Sequence, residues 1–164
     1  VNEVQILALI HDSWLGEVCR SITWLFPTFE TLHFIGLTTL IGAMMIVDLR
    51  LIGMVKIPMK SALRFTHVAF VGFALNVISG VGCFASNPSN YYHNPSFRLK
   101  MLLILLAGLN LVYFEVFERR KVLALGDGVA TGLDTKIVAG LSLTLWTLVI
   151  ILGRFLPVTA LGGG

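Results

Sequence analysis

Four long apolar runs constrain this chain more than any other feature of its sequence. They cover about 32–54, 65–85, 101–117 and 137–156, and about 20 helical residues cross a hydrocarbon core roughly 30 Å thick. Asp48 and Arg50 interrupt the first run only near its end, no proline falls inside any run, and the fourth stops at Pro157. A backbone in lipid must satisfy its own hydrogen bonds. Nothing in the runs alternates as barrel strands do, so they are read as helices. Hydrophobic residues make up 56% of the chain and charged ones 13%, against about 45–50% and about 25% in soluble domains. A soluble domain of 164 residues exposes too large a share of its area to hide that much apolar surface. The fold class is therefore all-α, an integral membrane four-helix bundle.

Residues 1–30 read differently. Val4, Ile6, Leu7, Ile10, Trp14, Leu15 and Val18 alternate at helical spacing with Glu3, Asp12, Glu17 and Arg20. Such a segment is too polar to span and suits the interface, with Trp14 and Trp24 at headgroup level. Pro27, Thr28 and Glu30 read as the opening turn of the first spanning helix. The expected division is an interfacial amphipathic segment over 1–30 and the bundle over 31–164. The sequence opens at Val1 without a basic stretch ahead of an apolar one. That is not the pattern of a secretory signal peptide, and it fits removal of an initiator methionine.

Loop charges give an orientation. Arg50, Lys56, Lys60 and Arg64 flank the first loop, and Arg119, Arg120, Lys121 and Lys136 flank the third; the second has no basic residue before Arg98 and Lys100. The positive-inside rule then sets loops one and three in the cytoplasm. Both termini, and the loop holding Tyr91, Tyr92 and His93, lie outside. Topology thus accounts for the net charge of +3, and no basic run with interleaved aromatics points to nucleic acid. Gly126, Asp127, Gly128 and Gly132 make the third loop a flexible connector.

In the second run Ala69, Gly72, Asn76, Ser79, Gly80 and Cys83 form one stripe, opposite Phe70, Val71, Ile78 and Val81. Small residues permit close helix approach in lipid and polar ones bond across it, so this stripe is expected to face inward and its helix to be central. Asn110 in the third run lies at a similar depth, and an amide in hydrocarbon needs a partner. Asn76 and Asn110 are expected to satisfy one another, with Trp146 of the fourth run packed against them as a structural polar core.

Histidines are the usual axial ligands of haem b in membrane bundles. His33 lies about a turn inside the outer end of the first spanning helix, and Gly36 almost above it would leave room for a flat ring. His93 falls at a similar height, and Arg98, Lys100 and Arg154 gather on that side, where propionates need cations. His33 and His93 are accordingly the candidate ligands of the haem iron, and no catalytic residue is assigned. His67 is expected to face away from the stripe and His11 to be exposed. A copper-handling reading uses His33, His93 and Met44 or Met45, but no Met-x-x-Met cluster or His-rich tract accompanies them. Asp48, Arg50, Glu115 and Glu118 are candidates for function by their depth; pairing or snorkelling at helix ends is the expectation. Cys19 and Cys83 have no CxxC or metal-ligand spacing and are expected to be two unrelated buried thiols.

Glu30-Thr-Leu-His-Phe-Ile-Gly, Val47-Asp-Leu-Arg-Leu-Ile-Gly, Tyr91-Tyr-His-Asn-Pro-Ser-Phe-Arg-Leu-Lys, Leu109-Asn110, Lys136-Ile-Val-Ala-Gly-Leu-Ser-Leu-Thr-Leu-Trp and Gly153-Arg154 together resemble an uncharacterised bacterial four-helix inner-membrane family, a domain of unknown function. A looser similarity extends to b-type cytochrome and copper-resistance membrane bundles. The resemblance implies a multi-pass protein of the bacterial cytoplasmic membrane and brings no activity with it. Two functions fit these observations. One is a haem-b-binding electron-transfer subunit between quinone and an outer-side, periplasmic redox protein. The other is a non-catalytic accessory subunit that binds lipid or other membrane subunits in a homo- or hetero-oligomer.

The orientation has a direct test. With Cys19 and Cys83 replaced, Ser89→Cys should react with an impermeant thiol reagent added outside cells, and Ala130→Cys should react only after lysis. The reverse labelling pattern would invert the topology.

Overall fold

The computed structural model describes residues 2–125 and 129–161, with side chains to Leu156 at the C-terminal end. The glycine-rich centre of the third loop, 126–128, lies outside the described residues. Two short helices, α1 (Glu3–His11) and α2 (Trp14–Ser21), precede α3 (Leu25–Ile52) and α4 (Met59–Ser86). A one-turn α5 (Pro88–Tyr92) leads into α6 (Pro95–Tyr113), which passes through a π-helical turn, Phe114–Glu118, into α7 (Arg119–Ala124). The last helix, α8, is Leu133–Leu161. No strand occurs among the described residues. Four helices are long and apolar enough to cross a membrane: Leu25–Ile52, Met59–Ser86, Pro95–Ala124 and Leu133–Leu156. The chain is a multi-pass, all-α membrane protein.

Each span runs further than its apolar run. A helix of 28 residues, as in α3 and α4, is about 42 Å long. It therefore projects beyond a core of roughly 30 Å or tilts within it. The ends have chemical causes. Pro27 sits in the first turn of α3, where a missing N–H costs nothing, and Gly53 ends that helix in the left-handed region at φ 95°. Asn94 caps α6 by accepting from the Ser96 and Phe97 amides, with Pro95 in the first turn. Its Nδ2 also donates to Leu156 O at 3.0 Å, which ties the loop after α5 to the end of α8. Contrary to expectation α8 does not stop at Pro157 but continues to Leu161. A proline so near the end removes little of the helical ladder.

The inward stripe of α4 is as expected. Ala69, Gly72, Ser79 and Cys83 are buried, while Phe70, Val71, Ile78 and Val81 are exposed. The central helix, however, is α3, which packs on α4 through one face and on α8 through another; α6 in turn lies on α8. The difference follows from side-chain size. Helix α4 has one small-residue face and turns its bulky side outward, whereas buried positions of α3 recur as Gly36, Leu40, Ala43, Met44, Val47, Asp48 and Leu51. Where α3 crosses α4 the backbones touch. A β-carbon at Gly36 would stand 2.9 Å from Gly72 O and from Asn76 N, and one at Gly72 would stand 2.6 Å from Leu40 N.

Two apolar clusters fill the bundle. Leu40, Ala43, Met44, Ala69, Ala107, Leu145, Trp146 and Val149 form the middle one. Val47, Leu51, Met59, Leu63, Phe114, Val122 and Ala139 form the other, towards the α3–α4 loop. Beside the bundle, α2 packs on α4 and buries Gly16 and Cys19, whereas α1 has no buried residue and Trp14 and Trp24 stand exposed.

The α3–α4 contact predicts a steric asymmetry between glycines. Gly72→Ala forces two backbones apart and should destabilise the detergent-solubilised protein by about 1–3 kcal/mol, the usual cost of overpacking. Gly42→Ala, which meets nothing within 4 Å, should be neutral or slightly stabilising through helix propensity. Thermal unfolding followed by circular dichroism separates them, and equal melting temperatures would contradict the contact.

Candidate functional site

His33 lies at the α3–α4 crossing, half-buried, and its ring is held from α4. Nδ1 is 3.1 Å from Asn76 O and 3.2 Å from Ser79 Oγ. In return Asn76 Nδ2 donates to His33 O at 2.9 Å. A carbonyl only accepts, so Nδ1 carries the proton and Nε2 has the lone pair. Gly80 lies directly under the ring; a β-carbon there would be 3.3 Å from His33 Cε1. The gap at Gly36 does not hold a flat ring, as its position in the sequence suggested, because the α4 backbone occupies it.

Lys100 is brought to the same region. Its position on α6 turns it into the bundle, where it is 7% exposed, and its Nζ is 3.6 Å from where a Gly153 β-carbon would stand. The lysine head therefore packs beside Gly153 of α8. Its charge acts on both His33 and Cys83. Among the described residues no hydrogen bond or ion pair holds that ammonium. A buried cation without an anion is costly, and this is the least compensated charge at the His33 end.

The other members of the expected constellation lie on the surface. Arg98 donates from Nε to Tyr92 O at 2.9 Å and stacks over the Tyr92 ring at 4.9 Å. His93 is exposed; its Nδ1 is 2.9 Å from Ser89 O and its ring meets Tyr92 edge-on. Arg154 is exposed on α8. The five-residue pattern thus separates into half-buried His33 with buried Lys100, a surface pair of His93 and Arg98 around Tyr92, and Arg154 exposed on α8.

Phe84, Tyr91 and Phe97 form an aromatic cluster at the α4–α6 connection, with centroids 5.6–6.2 Å apart. Burial first, and then Cys83 and Glu30 nearby, push the Tyr91 phenol up to about 12. Cys19 and Cys83 are free and buried. Burial pushes the Cys19 thiol up, partly offset by Arg20.

His67 is exposed as expected and lines an open groove of about 260 Å³ with Lys60, Arg64 and Arg119. His11 is also exposed, 2.8 Å from Asp12. Met44 is buried in the middle cluster and Met45 faces outward. No group of three or more His, Cys, Asp or Glu side chains converges in a metal-holding arrangement among the described residues.

Asn76 and Asn110 do not bond one another. Each instead supplies a donor to a backbone carbonyl of the neighbouring helix, Asn76 to His33 and Asn110 to Val138 at 3.1 Å. Trp146 packs in the apolar middle cluster. The polar core is thus distributed along helix contacts, because a helix carbonyl with a spare lone pair is the nearest acceptor to each amide.

At the opposite end the charges are buried more deeply than pairing at helix termini requires. Glu118, 2% exposed, accepts from Thr135 Oγ1 at 2.6 Å and from Lys121 Nζ at 2.8 Å. Glu115 pairs with Arg119, Arg50 donates from Nε to Ile57 O at 2.6 Å, and Thr131 Oγ1 donates to Leu51 O. Asp48 is 3% exposed, and its Oδ2 has no hydrogen-bond partner. Thr131, Thr135 and the π turn were not anticipated. The Glu118–Lys121 spacing of three was the one local signal pointing there.

The sequence matches no curated protein and no solved structure. Residues 7–159 match one family model, a family of unknown function named DUF6644. That span takes in all four membrane helices and both ends of the bundle, so the chain belongs to the DUF6644 family.

Proposed function

We propose that this protein is a haem-b-binding electron-transfer subunit of the bacterial cytoplasmic membrane, with both termini on the periplasmic side. The observation that carries the reading is His33. Its Nδ1 is committed to Asn76 O, which fixes the ring's tautomer and orientation and leaves Nε2 as the coordinating nitrogen. Backbone-carbonyl anchoring of this kind is the usual support of a metal-ligating histidine. Lys100 adds to it, as a buried ammonium awaiting an anion such as a propionate. His93 has the same Nδ1-to-carbonyl arrangement through Ser89 and is the candidate second ligand; Arg98 and Arg154 are further cations on that side. The bound group would supply a one-electron couple, exchanging electrons between quinone and a periplasmic redox protein.

A second reading, an accessory subunit that binds lipid or other membrane proteins without a cofactor, is favoured by α6. Its span is the least covered of the four, with Leu102, Leu105, Leu109 and Val112 turned outward.

A visible spectrum divides the two. Protein purified from haem-replete cells should show a Soret band that shifts on dithionite reduction. His33→Ala should abolish that band or convert it to a five-coordinate form, while His11→Ala should leave it unchanged. Lys100→Gln should lower the reduction potential, since a nearby positive charge favours the reduced, less positive centre. A colourless wild-type protein would retire the haem reading. His33→Ala would then cost only the ordinary value of a hydrogen bond, about 0.5–1.5 kcal/mol.

A further inference from the structure

The Asp48 end of the bundle contains a second polar site, unrelated to the histidines. Asp48 lies one turn before the end of α3, about 6 Å along the axis from Ile52. It borders a narrow cavity of about 10 Å³ between the helices. Each of the four spans contributes one oxygen-bearing side chain to the wall: Asp48 from α3, Thr66 from α4, Asn110 from α6 and Ser142 from α8. The rest of the lining is apolar and includes Met44 and Phe114. A void of this size is at the lower limit for one water-sized particle.

The site lacks one positive charge. Asp48 is hydrogen-bonded by the Ser142 hydroxyl, but its Oδ2 is buried without a partner, and a carboxylate with no counter-charge away from water is strongly disfavoured. No basic side chain lines the cavity from any of the packed helices. Arg50 on α3 is directed to Ile57 O, and Arg64 and His67 on α4 are exposed. The acids beyond α6, Glu115 and Glu118, have Arg119 and Lys121 as their own partners. On α8, neither Lys136 nor Asp134 reaches the wall. Asn110 gives one Nδ2 hydrogen to Val138 O, and its Oδ1 remains available as an acceptor. With the hydroxyls of Thr66 and Ser142, this makes a set of hard oxygen ligands around a single negative charge. A divalent ion would leave the site positively charged in a poorly polarisable setting. It would also demand more oxygen ligands than four side chains in so small a space supply.

We propose that Asp48 anchors a binding site for one exchangeable monovalent cation, a sodium ion or a proton, assembled from one side chain of each membrane span. Occupancy neutralises the carboxylate and joins all four helices at one point, which makes the site a natural sensor of ion concentration at that end of the bundle. It does not depend on whether a haem is bound at the other.

Infrared difference spectroscopy of the full-length protein in zwitterionic-lipid nanodiscs tests this. Samples carry carbon-13 in the aspartate side-chain carboxyl and are titrated with acid in sodium chloride and in choline chloride. A reversible band of a dry protonated carboxyl is expected, displaced by the label and absent from Asp48→Asn. Asp12 and Asp134, both exposed, absorb as hydrated acids, and any band of theirs or of Asp127 persists in Asp48→Asn and is separable from it. If sodium is the ligand, its midpoint falls by up to about one pH unit for each tenfold rise in sodium, the limit for one-for-one exchange with a proton. A band that titrates identically in both salts assigns the site to the proton. If Asp48→Asn does not fold, Asp48→Glu serves in its place, since it moves the acid out of the labelled set. Absence of any titrating dry carboxyl in folded wild-type protein, in either salt, would overturn the proposal.

Discussion

The approach of α3 to α4 at Gly36 and Gly72 is the contact on which the rest of this bundle depends. Water drives soluble helices together by expelling apolar surface. Lipid offers no such force, and association rests on close packing and on hydrogen bonds that hydrocarbon cannot supply. With no side chain on either helix at the crossing, the backbones meet, and every neighbouring group is brought within bonding reach. The two bonds between His33 and Asn76 follow directly, as does the seat of the imidazole over Gly80. One bulky residue at that crossing would remove the packing and the bonds together.

The two ends of the molecule handle polarity differently. Around His33 the polar side chains are directed mainly at backbone carbonyls, which fixes their geometry and leaves Lys100 as the uncompensated charge. Around Asp48 each glutamate has a basic partner, although Glu115 Oε1 is left without one, and the group with no counter-charge is the anion Asp48. A bundle carrying an unmatched cation at one end and an unmatched anion at the other is polarised along its axis. Anything that binds at either end changes the electrostatic balance of the whole protein.

The architecture was legible because membrane spans are written as composition and length, and because the α4 stripe repeats at helical period. Helix ends at Gly53 and Asn94-Pro95 were legible through their capping chemistry. What could not be read was the rotation of one helix against another. Sequence gives the face of Asn110 but not whether Asn76 or Val138 O comes nearest to it, and the nearer acceptor won. Similarly, Arg98 and Lys100 are two positions apart and looked equivalent as cations. A helix turns about 200° over two residues, so one went to Tyr92 at the surface and the other into the bundle. The space beside His33 was misjudged for a related reason: a glycine announces room, and only the fold says what takes it.

The π turn at Phe114–Glu118 has a consequence for the last stretch of that span. One residue more than an α-helix requires rotates everything beyond it by about 100° around the axis. Glu118 and Lys121 are therefore aimed by an insertion as well as by their spacing, and Glu118 meets Thr135 of α8 because of that offset. Reading frames of membrane helices are usually treated as rigid, so that a single-residue deletion merely shortens a span. Here, removing one residue from this turn would act as a torsional switch. It would keep the helix and its hydrophobic length nearly intact while swinging the segment's acidic and basic groups off their present partners.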